Sequence, residues 1–164
     1  MAGPDRSPDL DEGRLTAAIE RAAAFAGAPV VAAYLFGSHS ERRAHRESGI
    51  DLAVLLDRER AASDGDRFEF RVRLTSALIA ELRTNAVDLV VLNDAPPGLA
   101  SRIVTRGRRI FCSDPAAEHA FRRDVQLRAA DLEPFLRRAR AVKLRAMAPW
   151  AEANVERCPR SDCG

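Results

Sequence analysis

The chain has 164 residues, 46% of them hydrophobic and 30% charged, with a formal net charge of +2. That is enough chain for one globular domain with a real core, and too little net charge to mark a nucleic-acid-binding surface, so direct nucleic-acid binding is not expected. No apolar run approaches the roughly 20 residues of a membrane span, and Met1-Ala2-Gly3-Pro4-Asp5 lacks the basic start and apolar stretch of a secretory leader, so a cytoplasmic protein with no membrane partner is expected.

Residues 1–11 are rich in Pro, Gly and Asp and are expected to be mobile. Leu15, Ala18, Ile19, Ala22 and Ala23 form a helical stripe that Gly27-Ala28-Pro29 stops. Val30 to Phe36 is an apolar run of strand length, and Ser38 to about Ala44 reads as a short helix entered from Gly37. Ile50 to Leu56 is a second strand. Asp66 and Glu69 resemble a capping box for a helix whose apolar face would be Phe68, Val72, Ile79 and Leu82. Val87 to Leu92 is a third strand, Pro96-Pro97 opens a further helix closed by Gly107, and Arg109 to Cys112 is a short fourth strand.

A long amphipathic stretch runs from about Ala116 to Met147, with Pro134 expected to kink or break it. Its apolar side chains include Phe121, Val125, Leu132, Phe135, Leu136 and Val142, and its arginines include Arg122, Arg137, Arg138 and Arg140. Two uses fit this pattern: packing on the sheet with a solvated basic face, or a partner-binding surface. The domain is expected over residues 12–148, and residues 149–164 as a disordered tail. Three cysteines make no disulfide framework; Cys112 reads as a small core residue, and Cys158 and Cys163 do not fill a tetrahedral zinc site. Helices alternating with short strands predict an α/β (α+β) fold: a short mixed sheet, flanking helices and a C-terminal helical region.

Two aspartates interrupt the apolar strands. Strand side chains alternate with period two, so Ile50, Leu52, Val54 and Leu56 share one face while Asp51 points the other way. Asp88 is likewise opposite Val87, Leu89 and Val91. A carboxylate in such a strand is costly unless paired. If the two strands are neighbours, both carboxylates converge on one hard cation such as Mg²⁺, which keeps substrate phosphates in its shell. Gly37-Ser38, at the end of the first strand, would let a phosphate approach the backbone closely. His39, His45 and His119 have no ligand-like spacing and read as surface residues.

Gly37-Ser38, ten residues, a position that is normally a carboxylate, one residue, then Asp51-Leu52 resembles the nucleotidyltransferase superfamily related to DNA polymerase beta. Asp88 resembles that family's third carboxylate, and the continuation through Arg106-Gly107-Arg108-Arg109-Ile110-Phe111 is similar to the minimal nucleotidyltransferases, the MNT group. The resemblance covers about residues 14–145. It implies a nucleotidyltransferase fold, catalytic and metal-binding roles for Asp51 and Asp88, nucleotide-phosphate binding at Gly37 and Ser38, and Mg²⁺ and ATP as cofactors. It also implies an antitoxin paired with a HEPN-domain ribonuclease toxin, neutralising it by AMP transfer or by direct binding.

The chain departs from the pattern twice. Gly49 stands where the first metal carboxylate is expected, and Arg42 and Arg43 occupy a stretch where a glycine is expected. Glu47 has the parity of Asp51, but four residues of strand separate them by roughly 13 Å, too far to share a metal without a bulge. A catalytically impaired binding protein and a small-molecule nucleotidyltransferase are the competing expectations.

Overall fold

In a computed structural model, residues 12–37 and 49–155 are described, with side chains described through residue 142. The elements follow one another as α1 (Glu12–Ala26), β1 (Val30–Phe36), β2 (Ile50–Leu56), α2 (Asp64–Leu82), β3 (Val87–Val91), α3 (Pro97–Arg106), β4 (Arg108–Cys112) and α4 (Pro115–Val155). The four strands form one mixed sheet in the order β3-β2-β1-β4. β1 pairs antiparallel with both β2 and β4, while β2 and β3 run parallel. The expected fold class holds. The expected helix after Gly37, together with His39 and His45, lies outside the described residues.

Strand alternation divides the core into two layers. On one face Leu35, Leu52, Val54 and Leu89 pack with Leu15 and Ile19 of α1 and with Leu74 and Leu78 of α2. On the other, Val31, Tyr34, Ala53 and Leu55 pack with Ala100, Ile103 and Val104 of α3 and Val125 of α4. Each such aliphatic side chain contributes about 1.5–3 kcal/mol on burial. A sheet covered on both faces explains why β1 and β2 are apolar almost throughout. Beyond the helices, Asn93 bonds both the N–H and the carbonyl of Leu56, at 2.9 Å each, and ties the end of β2 to the turn after β3.

Three expectations about helices need correction. The N-cap of α2 is Ser63, not Asp66: the Ser63 hydroxyl accepts from the Asp66 N–H, and the Asp66 carboxylate accepts from the Ser63 N–H. An aspartate at the third helical position thus closes a box more often closed by Glu or Gln. The buried face of α2 is Leu74, Ala77, Leu78 and Leu82, with Phe70 packed against the same core; Phe68 and Val72 are exposed, because they lie off that helical stripe. Finally, α4 continues through Pro134 without a break and runs past Pro149 to Val155. A proline removes one amide donor from a helix, and the intervening turns of α4 remain hydrogen-bonded on either side of it.

Candidate active site

β2 places Asp51 between two neighbours. It is in antiparallel register with Phe36 of β1 and in parallel register with Asp88 of β3. Adjacent strands lie about 4.8 Å apart, so the two aspartates leave neighbouring backbones side by side. Both share parity with Ala53 and Val90, which face α3 and α4, and so both carboxylates are on that face of the sheet. Asp51 is half-buried and Asp88 exposed, at the end of the sheet where β2 and β3 begin.

Gly37 is fitted to Asp51. Its φ is +71°, and a Cβ built there would lie 2.1 Å from Asp51 Oδ2 and 2.9 Å from Cγ. The carboxylate therefore occupies the volume any larger residue would fill, against the turn that leaves β1. Glycine is required twice over: for the left-handed backbone and for the close approach. Ser38, the other half of the predicted phosphate turn, lies outside the described residues, as do Glu47, Arg42 and Arg43.

Gly49 lies one alternation before Asp51. Its missing Cβ would sit 3.3 Å from the Ala86 carbonyl oxygen and 3.9 Å from the Ala86 Cβ. Ala86 has the parity of Asp88, so position 49 is on the carboxylate-bearing face. Position 49 thus shares the face of Asp51 and Asp88 and carries no carboxylate. No group of three His, Cys, Asp or Glu side chains forms a metal-binding cluster among the described residues. The two hard oxygen donors fit a single Mg²⁺ that completes its shell with water and phosphate oxygens. A pair of metal ions lacks the carboxylate that would hold the second.

A buried polar cluster beneath α4 escaped the sequence reading. Tyr34 donates to Glu118, which is only 3% exposed. Glu118 also pairs with Arg109 at 3.2 Å and Arg122 at 3.1 Å. Burial first, and the bond to Glu118 second, push the Tyr34 hydroxyl up to about 12. The bond to Tyr34 is the main influence raising Arg122. The available signal was Glu118 standing at the same helical spacing as Phe121 and Val125, where an apolar residue would be expected. This cluster fastens α4 to β1 and β4 and lies among the core residues rather than beside the aspartates.

Two strand aspartates in lateral register, one of them seated against a left-handed glycine turn, are placed by a fold of the nucleotidyl-transfer type. The chain belongs to the polymerase beta nucleotidyltransferase family, whose model matches residues 23–116. Among curated proteins it is similar to the protein adenylyltransferase MntA of Shewanella oneidensis, 41% identical over 81 residues, which are 48% of this chain and 51% of MntA. The chain thus spans about half the length of the curated relative it matches. Among solved structures it resembles a toxin–antitoxin crystallised with AMP-PNP, at 27% identity and a TM-score of 0.57, covering 85% of this chain and 100% of that one. A mutant MntA–HpeT toxin–antitoxin is similar at 26% identity and a TM-score of 0.55, with the same coverage of 85% and 100%. No helix among the described residues is long and apolar enough to cross a membrane.

Proposed function

We propose that this protein is an MNT-type antitoxin that binds a HEPN ribonuclease toxin and carries a weakened site for transferring AMP from ATP to it. The observation that carries the reading is the lateral register of Asp51 with Asp88, with the Asp51 carboxylate seated against Gly37. The similarity to a protein adenylyltransferase and to a toxin–antitoxin holding an ATP analogue supports the choice of nucleotide and partner class. A cytoplasmic location goes with that partner.

In this reading Asp51 and Asp88 hold one Mg²⁺, and Gly37-Ser38 receives the nucleotide phosphates. The metal, when bound, neutralises phosphate charge and polarises the phosphorus centre. The chain's own contribution is positional. Asp51 is fixed by the Gly37 turn on one side and by β3 on the other, so its orientation costs little on binding. Asp88, exposed on the edge strand β3, is open to solvent and to an incoming substrate. Gly49 supplies no carboxylate to activate that hydroxyl or to hold a second ion, so transfer is slow and neutralisation rests mainly on binding.

The test is incubation of the protein with labelled ATP, Mg²⁺ and the product of the adjacent gene. Slow, Mg²⁺-dependent label on the toxin that disappears with Asp51→Ala or Asp88→Ala supports the reading. Rapid transfer untouched by Asp51→Ala would place the chemistry elsewhere. The second reading, a nucleotide-fold protein that neutralises by binding alone, is favoured specifically by Gly49; it replaces the first if no label is transferred while the toxin is still inhibited.

A further inference from the structure

Helices α3 and α4 enclose a groove of about 710 Å³ on the outer surface of the molecule. Its apolar lining comes from Leu99, Leu132 and Leu136, and its cationic lining from Arg102, Arg106 and Arg140. Leu132 and Leu136 remain 41% and 36% exposed, one helical turn apart on the same side of α4. Arg102, Arg106 and Arg140 are exposed and form no ion pair among the described residues. The acid in the groove, Glu133, is already paired with Arg137 at 3.1 Å.

We infer that this groove is the docking surface for an acidic amphipathic helix of the toxin, with leucine-like side chains seated on Leu132 and Leu136 and carboxylates facing Arg102, Arg106 and Arg140. The inference rests on the proposed antitoxin function and names the surface through which the partner is held. Two neighbouring helices present ridges between which a third packs readily. Charge selects the occupant. A second copy of this chain using the same groove would set three unpaired arginines against three more, an arrangement that disfavours association. Single-stranded RNA would satisfy the arginines, but such sites stack bases on aromatic rings, and none lines the groove. An apolar floor with a cationic rim matches an apolar helix face with an acidic rim.

The test uses the full chain and the toxin encoded beside it, titrated by calorimetry at two salt concentrations. Arg102→Glu with Arg106→Glu is expected to weaken binding at least tenfold and to flatten its salt dependence. Leu132→Ser with Leu136→Ser is expected to weaken it similarly without changing the salt slope. Replacing acidic residues of one toxin helix by lysine is expected to restore affinity to the charge-reversed variant. Far-UV circular dichroism and labelled-AMP transfer to excess toxin report whether the variants remain folded and competent. Toxin binding unaltered by the charge reversal overturns this inference and leaves the antitoxin reading standing, whereas an unmodified chain that binds no toxin overturns both. Tenfold weaker capture of a 20-nucleotide single-stranded RNA by the charge-reversed variant, with toxin affinity unchanged, reassigns the groove to nucleic acid. Loss of a dimer on sedimentation reassigns it to a second copy.

Discussion

Gly37 touches the Asp51 carboxylate and Gly49 stands two residues before Asp51 on the same strand face, and the two have opposite consequences. At Gly37 a methyl group has nowhere to go: a left-handed φ and a carboxylate oxygen 2.1 Å from the would-be Cβ both oppose it. Gly37→Ala is expected to displace Asp51, abolish any Mg²⁺-dependent transfer and cost on the order of 1–3 kcal/mol of stability from backbone strain, read as a lower urea midpoint. At Gly49 the obstacle is smaller, with ordinary φ and a single tight contact. The neighbour is the Ala86 carbonyl oxygen at 3.3 Å, held by the Ile50 N–H at 2.6 Å, and it must give by a few tenths of an ångström to admit a side chain. Gly49→Asp is therefore expected to fold, to bind Mg²⁺ more tightly by calorimetry and to raise the AMP-transfer rate, because one charge-assisted metal contact is worth several kcal/mol in the transition state. A folded Gly49→Asp protein with unchanged metal affinity would mean that the site has drifted at more than this position.

Among the elements, α4 depends most on a few residues. Its first turns are held by Glu118, Phe121 and Val125; farther along, Leu127, Phe135 and Val142 are exposed. The anchoring cluster has a pH signature. Tyr34 titrates near 10 when unfolded and is pushed up to about 12 in the folded protein, by burial and then by Glu118. The folded state thus favours the neutral phenol. This contribution is complete below pH 10 and is lost as pH rises through 12. Urea midpoints are expected to be level up to about pH 9.5 and to fall beyond pH 10, with Tyr34→Phe removing that part of the fall. The phenylalanine variant also loses one hydrogen bond to a buried carboxylate, a cost of about 1–3 kcal/mol at neutral pH.

At the scale of the whole molecule, the two halves of α4 separate folding from recognition. Ending the chain after Cys112 removes Glu118, Phe121 and Val125 and leaves α3 alone to cover the face of the sheet that carries Tyr34 and Ala53, so that truncation is expected to unfold the domain. Ending it after Ala130 keeps all three and discards Leu132, Phe135 and Leu136, which are exposed. The shorter chain is expected to melt cooperatively within a few degrees of the full protein while losing toxin affinity at least tenfold. Thermal denaturation and calorimetry check the two halves of that statement; full toxin affinity in the shortened chain would remove the far part of α4 from the interface.

Local sequence determined most of the elements of this protein and which strand faces carry the residues of the candidate site. Strand parity alone assigned Asp51 and Asp88 to the faces they occupy, because alternation of side chains is a property of the extended backbone and needs no partner. The Pro96-Pro97 start and Gly107 stop of α3 were legible for the same reason, since proline and glycine act through their own dihedral angles. Tertiary structure decided what depends on which elements meet. That β2 lies beside β3 in parallel register, and so brings Asp51 level with Asp88, follows from how the sheet is ordered. The exposed Phe68 and Val72 show the same dependence: α2 offers more than one apolar stripe, and the packing of the sheet and α1 selects the one through Phe70, Leu74 and Leu78. Glu118 is the clearest case, a charged residue on a core face whose place is intelligible only once Tyr34, 84 residues away in sequence, meets it alongside Arg109 and Arg122.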